Sequence, residues 1–399
     1  MWNLTWRTGS DQYGDSVPNS MYRHMWSNSP KECFEFGDYT FDEHFGRAIP
    51  SYTPRPVMRD YIITRAVKAD LKKYIKFNIK VVNVTFDNNT FSVTTWDKIN
   101  DSFSTEEFDF VVVASGHLSF PYVPEYPGMD TFPGRIIHSH DFRNAEQFSG
   151  QDLIVIGSSY SAEDIAIQCY KYGAKSITIV YRQNPIGFKW PSTVKEMSLD
   201  RLEGNMAYFK DGNSQKVDSI ILCTGYLRHF PFLEENLRLK TENTDCCPDL
   251  YKGVVWKKNH KLFYLGMQNQ YYTITLFDTQ AWFVRDVILG TFCLPSERDI
   301  QKEIDTFRLK ADKLSSPSEQ IDYHTDYMKD IFKLVDCPKF NIDQVNQQLK
   351  VWEHHRKENI LTYRDKSFTS VITGTRGTPH HTDWLHAFDD SIMGFLAEP

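Results

Sequence analysis

The 399-residue sequence contains no Gly-x-Gly and no Cys-x-x-Cys, and no apolar run approaches the ~18 residues of a membrane span. These gaps argue against a disulfide framework and against a membrane span. Positive charge is in deficit. The formal net charge of -7 speaks against a nucleic-acid polyanion as partner. The start shows no signal-peptide layout, and no repeat of 20–50 residues is visible. Seven cysteines, an odd number, fit free thiols in a reducing compartment, so the expected location is cytoplasmic. Neighbouring histidines occur at His354-His355 and His380-His381. Adjacent histidines seldom chelate one ion, and no cysteine or carboxylate completes a ligand set, so no metal site is expected.

The most informative stretch present runs from Leu153 to Ile165. It reads as a buried strand, a tight turn of small residues and the first turn of a helix. Dinucleotide-binding units carry Gly-x-Gly-x-x-Gly/Ala at this point. Here Gly157 holds the first position, Ser159 replaces the second glycine and Ala162 holds the third. Small residues let backbone N–H groups and the helix N-terminus face a pyrophosphate, and Ser159 and Ser161 add hydroxyl donors. The following strand, Ser176 to Tyr181, ends at Arg182, where an NAD site would place an acidic residue for the ribose. A cation there suits a 2′-phosphate and points to NADP(H). A strand–turn–helix without a ligand is the alternative reading of the same residues.

Residues 1–60 are rich in Trp, Tyr, Ser, Asn, Pro and Gly with weak periodicity, an irregular opening that suggests function. A helix is expected over Pro56–Lys72, then strands over Ile75–Phe86, Thr90–Trp96 and Phe108–Ala114. The last leads into Ser115-Gly116, and Val217–Leu222 similarly leads into Thr224-Gly225. Two such strand ends suggest two nucleotide-binding halves. Pro121, Pro124 and Pro127 mark a boundary between them. A short strand, Leu262–Gly266, precedes a helix expected over Leu276–Leu289. Beyond Pro295 the pattern is helical, with a loop expected at Ser315–Ser318 and two further helical stretches to about Asn359. The 15% aromatic content includes Trp2, Trp6, Tyr22, Trp26, Tyr271 and Tyr272 in polar company, which suits a planar cofactor nearly as well as a core.

Several motifs in fixed order resemble the flavin-containing monooxygenase family. Phe132-x-Gly134-x-x-x-His138-x-x-x-Phe142-Arg143 matches the family signature, with Phe142 where Tyr is common. Leu222-Cys223-Thr224-Gly225-Tyr226 resembles its second strand motif. Trp26-Ser27-Asn28, Tyr39–Gly46, Gly157–Asp164 and His380-His381-Thr382 read like the trimethylamine-oxidising bacterial branch. The resemblance implies an α/β fold of two Rossmann-like domains with a helical C-terminal section. The smaller NADP domain, residues 124–230, would be inserted between FAD-domain parts 1–123 and 231–399. The family opens with a strand and Gly-x-Gly-x-x-Gly for the FAD pyrophosphate. No counterpart exists here, so the expectation is a FAD domain truncated by about 30–40 residues.

The implied activity is NADPH- and FAD-dependent insertion of one oxygen of O2 into a soft nucleophile. By resemblance this is N-oxygenation of trimethylamine or a related tertiary amine through a C4a-hydroperoxyflavin. Broader oxygenation of amines and sulfides, an uncoupled NADPH oxidase, and a non-catalytic remnant binding NADP(H) without FAD remain alternatives. A homodimer is compatible with the resemblance. It assigns catalytic roles to Asn28 and Tyr160, the latter lying over the nicotinamide. It matches Met1, Trp2, Trp26, Asn28, Val81, Gln270 and Thr273 to FAD. It matches Gly157, Ser158, Ser159, Tyr160, Ser161, Ala162, Tyr181, Arg182 and Arg364 to NADP. Local sequence alone makes Asn28 the start of a turn and Arg364 a solvated charge. Asn269 and Tyr271 replace an Asp and a Trp of the bacterial enzymes at the expected substrate pocket. Losing a carboxylate and an indole weakens the case for holding an amine cation.

Overall fold

A computed structural model describes residues 3–18, 20–240 and 245–397. Met1 and Trp2, both expected at the FAD site, lie outside them. A five-stranded, all-parallel sheet runs in the spatial order Arg135–His138, Ser219–Leu222, Asp152–Ile156, Ser176–Val180, Val194–Met197. Both its faces are covered, which is why its strands read as continuous apolar runs. Along the central strand the two-residue period divides the side chains. Leu153 and Val155 pack with Ile165, Ala166 and Cys169 of the helix Tyr160–Lys171. Ile154 and Ile156 pack on the opposite side with Leu199, Leu202, Ala207 and Phe209. Those four belong to a three-stranded antiparallel sheet, Leu199–Glu203, Met206–Phe209 and Ser214–Lys216, that the sequence reading had not anticipated.

A second unit surrounds the strand Val111–Val113, which pairs in parallel with Leu262–Tyr264. Among the described residues this is its only strand partner. An antiparallel sheet of Ile79–Phe86, Phe91–Asp97 and Ser102–Phe108 covers it, with Val84, Phe91, Val113, Leu262 and Tyr264 in a shared core. The sequence reading has no strand over Ser102–Glu107 and begins the next one at Phe108. All seven residues of Ser102–Phe108 are exposed, so no burial pattern marks that strand. The first long helix ends earlier than expected, at Lys68, and a 3-10 turn follows at Leu71–Tyr74.

The C-terminal section is helical over Thr273–Ile288, Glu297–Ala311, Pro317–Leu334 and Ile342–Glu358. The loop expected at Ser315–Ser318 is a helix start instead. Ser316 and Glu319 form a reciprocal capping box, with Pro317 at the first helical position, where its missing N–H costs nothing. The aromatic-rich opening packs into the same core, with Trp26, Phe34, Phe36, Phe41 and Tyr61 against Leu276, Phe283, Ile331 and Trp352. Its irregular backbone is held by buried side chains. Glu35 accepts hydrogen bonds from Phe41 N (2.7 Å) and Ser370 Oγ (2.6 Å), and Glu32 pairs with Lys31 (2.8 Å). Such contacts replace the regular ladder that buried backbone otherwise requires.

Candidate active site

The chain turns sharply at Gly157. It sits where the course of the parallel sheet reverses, with Ser176–Val180 on one side of its strand and Ser219–Leu222 on the other. Ligands of open α/β sheets bind at such points, beyond the C-terminal strand ends. Gly157 has φ 137°, and a Cβ there would lie 2.2 Å from Cys223 O, so only glycine fits. The turn delivers Ser158 and Ser159 to the surface and starts the helix at Tyr160. Ser159 occupies the N-cap position but makes no side-chain cap bond. Its hydroxyl and the N–H groups of Tyr160 and Ser161 remain donors for an anion, while Ala162 N donates to Ser159 O (2.8 Å). Ala162 is fully buried under the turn. Gly157 N donates to Val180 O (2.9 Å), which holds the end of the next strand beside the turn. Tyr181 and Arg182 follow there. Arg182 is exposed and forms no ion pair with the described residues.

Two carboxylates, Glu163 and Asp164, stand in this helix one turn from the anion cradle. Both are matched by cations of the C-terminal section. Glu163 meets Arg356, and Asp164 meets Arg364 at 2.5 Å. Arg364 is buried, not solvated. Its Nε donates to Ser27 O (3.1 Å), and its Nη1 has no partner among the described residues.

Ser27 belongs to the segment carrying Trp26 and Asn28, and that segment is anchored on several sides. Ser27 N donates to Thr53 O (2.8 Å), and Trp352 Nε1 donates to Asn28 O (2.6 Å). The Asn28 backbone is thereby fixed, while its side-chain amide has no partner among the described residues. Trp26, Asn28, Tyr160, Ser161, Gln270 and Thr273 line one cavity of about 410 Å³. Met25, Phe34, Met58 and Phe277 supply apolar walls. Thr273 carries φ 44°, an uncommon conformation for a β-branched residue, and its N–H is held by Gln270 Oε1.

Other expected residues lie elsewhere. Val81 is on the strand Ile79–Phe86 and 37% exposed, outside the cavity lining. Asn269 is exposed. Tyr271 is half-buried behind the cavity wall, 5.5 Å from His324 and 6.0 Å from Trp352 between ring centroids. Its hydroxyl donates to Gln320 Oε1 (3.3 Å); burial holds the phenol well above the usual pKa, and the nearby Tyr160 phenol adds to the effect. The sequence reading passed over Trp352 and Arg356, which look like ordinary positions of an amphipathic helix. It also passed over Thr53.

Four residues lining the cavity carry a buried polar atom with no partner among the described residues: Tyr22 Oη, Trp26 Nε1, Thr53 Oγ1 and Ser139 Oγ. Native interiors rarely leave such atoms unsatisfied. Together with the free Asn28 amide they suit the heteroatom-rich ring system of a flavin beside a nicotinamide. The Gly157 turn suits the nucleotide phosphates.

The model of the flavin-binding monooxygenase-like family matches residues 5–185 and 192–345. The chain belongs to this family. It is a flavin-dependent monooxygenase whose cofactors are FAD and NADP(H). Among relatives of this flavin monooxygenase, a trimethylamine monooxygenase of Pelagibacter ubique is 58% identical over 397 residues, covering 99% of this chain and 90% of the relative. A trimethylamine monooxygenase of Methylocella silvestris is 53% identical over 403 residues, covering 100% and 89%. The crystal structure of Tmm from a Pelagibacter strain superposes with a TM-score of 0.97 at 56% identity, covering 99% of this chain and 90% of that one. The S-allyl-L-cysteine S-oxygenase of Allium sativum gives 0.77 at 25% identity, covering 92% and 86%. No helix among the described residues is long and apolar enough to cross a membrane.

Proposed function

We propose that this monooxygenase converts trimethylamine, or a closely similar tertiary amine, to its N-oxide. One oxygen atom of O2 forms the N–O bond, the other leaves as water, and NADPH supplies the two electrons. The observation that carries the reading is the single cavity shared by Asn28 and Tyr160, in a chain so similar to trimethylamine monooxygenases. Bound FAD supplies the redox centre that accepts hydride from NADPH and reacts with O2.

The protein's own tasks are to orient two coenzymes and to exclude water. Trp26, Gln270 and Thr273 would bound the flavin ring system. Asn28 can donate and accept a hydrogen bond without titrating, which suits a polar group held against the reacting oxygen. Its fixed backbone leaves only the amide to adjust. Tyr160 would cover the nicotinamide. Ser158, Ser159, Ser161 and the helix N-terminus would hold the pyrophosphate, and Arg182 the 2′-phosphate. Arg364, through Nη1, would add a donor beneath them. The amine reacts through its nitrogen lone pair, so its ammonium form must give up its proton before the N–O bond forms. The seven free thiols support a reducing, cytoplasmic setting.

The test is a stoichiometry on the protein incubated with FAD. NADPH oxidised, O2 consumed and N-oxide formed should agree one to one to one with trimethylamine present. A visible flavin absorption band should accompany the purified protein. NADPH consumption that yields only hydrogen peroxide, whichever tertiary amine is supplied, would refute N-oxygenation and leave an oxidase.

A further inference from the structure

Behind Tyr160 lies a buried cation that the proposed chemistry does not use. Arg356 is 2% exposed. Its Nη1 bonds Glu353 Oε2 at 2.7 Å and its Nη2 bonds Glu163 Oε2. The fork is therefore held from two elements, the C-terminal helix Ile342–Glu358 and the helix that Tyr160 begins. The guanidinium carbon stands 4.7 Å from the centroid of the Tyr160 ring and 4.7 Å from that of Trp352. These two rings are stacked at 6.4 Å and 17°. Burial works against the charge of Arg356, but Glu163, Tyr160 and Glu353 outweigh it and hold its pKa above the ordinary value. The guanidinium stays charged, and a planar cation against an aromatic face is an attractive, orientation-dependent contact.

Tyr160 by contrast is 38% exposed, and its ring leans on this cation and on the Trp352 ring. Trp352 also donates to Asn28 O. One rigid assembly thus touches both residues assigned to the cavity chemistry.

We infer that Arg356 is a positioning residue. Clamped between Glu163 and Glu353, it fixes the orientation of the Tyr160 ring, and so determines how tightly NADP+ is retained and how much reduced oxygen is lost as peroxide. Lysine cannot reproduce this, because a point charge lacks the fork that binds both carboxylates. The inference rests on the proposed role of Tyr160, and the experiment separates the two.

Arg356→Gln, Arg356→Lys, Tyr160→Ala and the double variant Tyr160→Ala/Arg356→Gln are compared with the unaltered protein. The first readout is NADP+ affinity by calorimetry. The second is the share of NADPH equivalents recovered as hydrogen peroxide. Arg356→Gln should weaken NADP+ binding three- to ten-fold and raise the peroxide share several-fold. The rate of flavin reduction at saturating NADPH should change less than two-fold. Arg356→Lys should fall between. The double variant should match Tyr160→Ala, since a residue acting through another adds nothing once that one is gone. If Tyr160→Ala raises peroxide and Arg356→Gln does not, the inference about Arg356 fails and the reading of Tyr160 stands. If Tyr160→Ala changes neither readout, the reading of Tyr160 fails. Additive effects in the double variant overturn the claim that Arg356 acts through Tyr160. Should Arg356→Gln not fold, Glu353→Gln, which releases one arm of the fork, must shift both readouts in the same direction or the inference is refuted.

Discussion

Replacing Arg182 with alanine should cost this protein its preference for NADPH over NADH. The guanidinium closes the strand Ser176–Val180 beside the Gly157 turn, is exposed, and forms no ion pair with the described residues. No partner among the described residues has to be given up when a phosphate binds. A charge-assisted hydrogen bond contributes about 1.5–3 kcal/mol. Because this contact stays open to water and screening, the lower end applies, and 1.4 kcal/mol corresponds to about ten-fold. The dissociation constant for NADPH should therefore rise about ten-fold in Arg182→Ala, while that for NADH, which has no 2′-phosphate, should hold within about two-fold. Calorimetric titration at two salt concentrations provides the assay. The unaltered protein should lose NADPH affinity on adding salt more steeply than the variant. Equal loss for both nucleotides, or an unchanged salt dependence, would refute the assignment of the 2′-phosphate to Arg182.

Gly157→Ala should fail for steric reasons. A Cβ 2.2 Å from Cys223 O must displace backbone, and φ 137° adds about 1–3 kcal/mol of strain for any other residue. A lowered Tm with at least ten-fold weaker NADP+ binding is expected, and a variant behaving like the parent would show that the turn is not a close-packed cradle. His138 gives a pH signature. Its Nδ1 accepts from His140 N (3.0 Å), so Nε2–H donates to Gly225 O (3.1 Å), and the ring is needed neutral. Burial pushes its pKa from 6.5 down to about 4. As pH falls below 6.5 the unfolded chain binds a proton that the folded chain refuses until about pH 4, so stability falls across that window. The loss is on the order of 2 kcal/mol at pH 5, and His138→Gln should show a Tm difference between pH 7 and pH 5 smaller by that contribution. An identical pH dependence in both proteins would exclude His138 as its source. Asn28→Ala should raise the peroxide share of NADPH oxidation several-fold with Trp26 and Tyr160 undisturbed, and an unchanged share would remove Asn28 from the reaction.

Much of the fold could be read because its information is local. The run Leu153–Ile156 followed by Gly157 and small residues announces a strand and a tight turn whatever the rest of the chain does. Periodic helices with Ser, Pro or Asn at their starts were recognisable for the same reason, although the start at Ser316 was mistaken for a loop. Elements without a buried face left no pattern, and the exposed strand Ser102–Phe108 is the clearest case.

The sequence by itself determined the dinucleotide turn, the cation that ends the next strand, and the alternation that sends Leu153 and Ile154 to opposite cores. Each depends on neighbours a few residues away. Only tertiary structure decided that Asn28 and Tyr160 share a cavity, that Arg364 is buried instead of solvated, and that Arg356 supports an aromatic ring. The partners of those arginines, Glu163 and Asp164, lie 193 and 200 residues away in the chain. At such separations no periodicity links two charges, and their pairing becomes defined only when two independently formed helices are packed together.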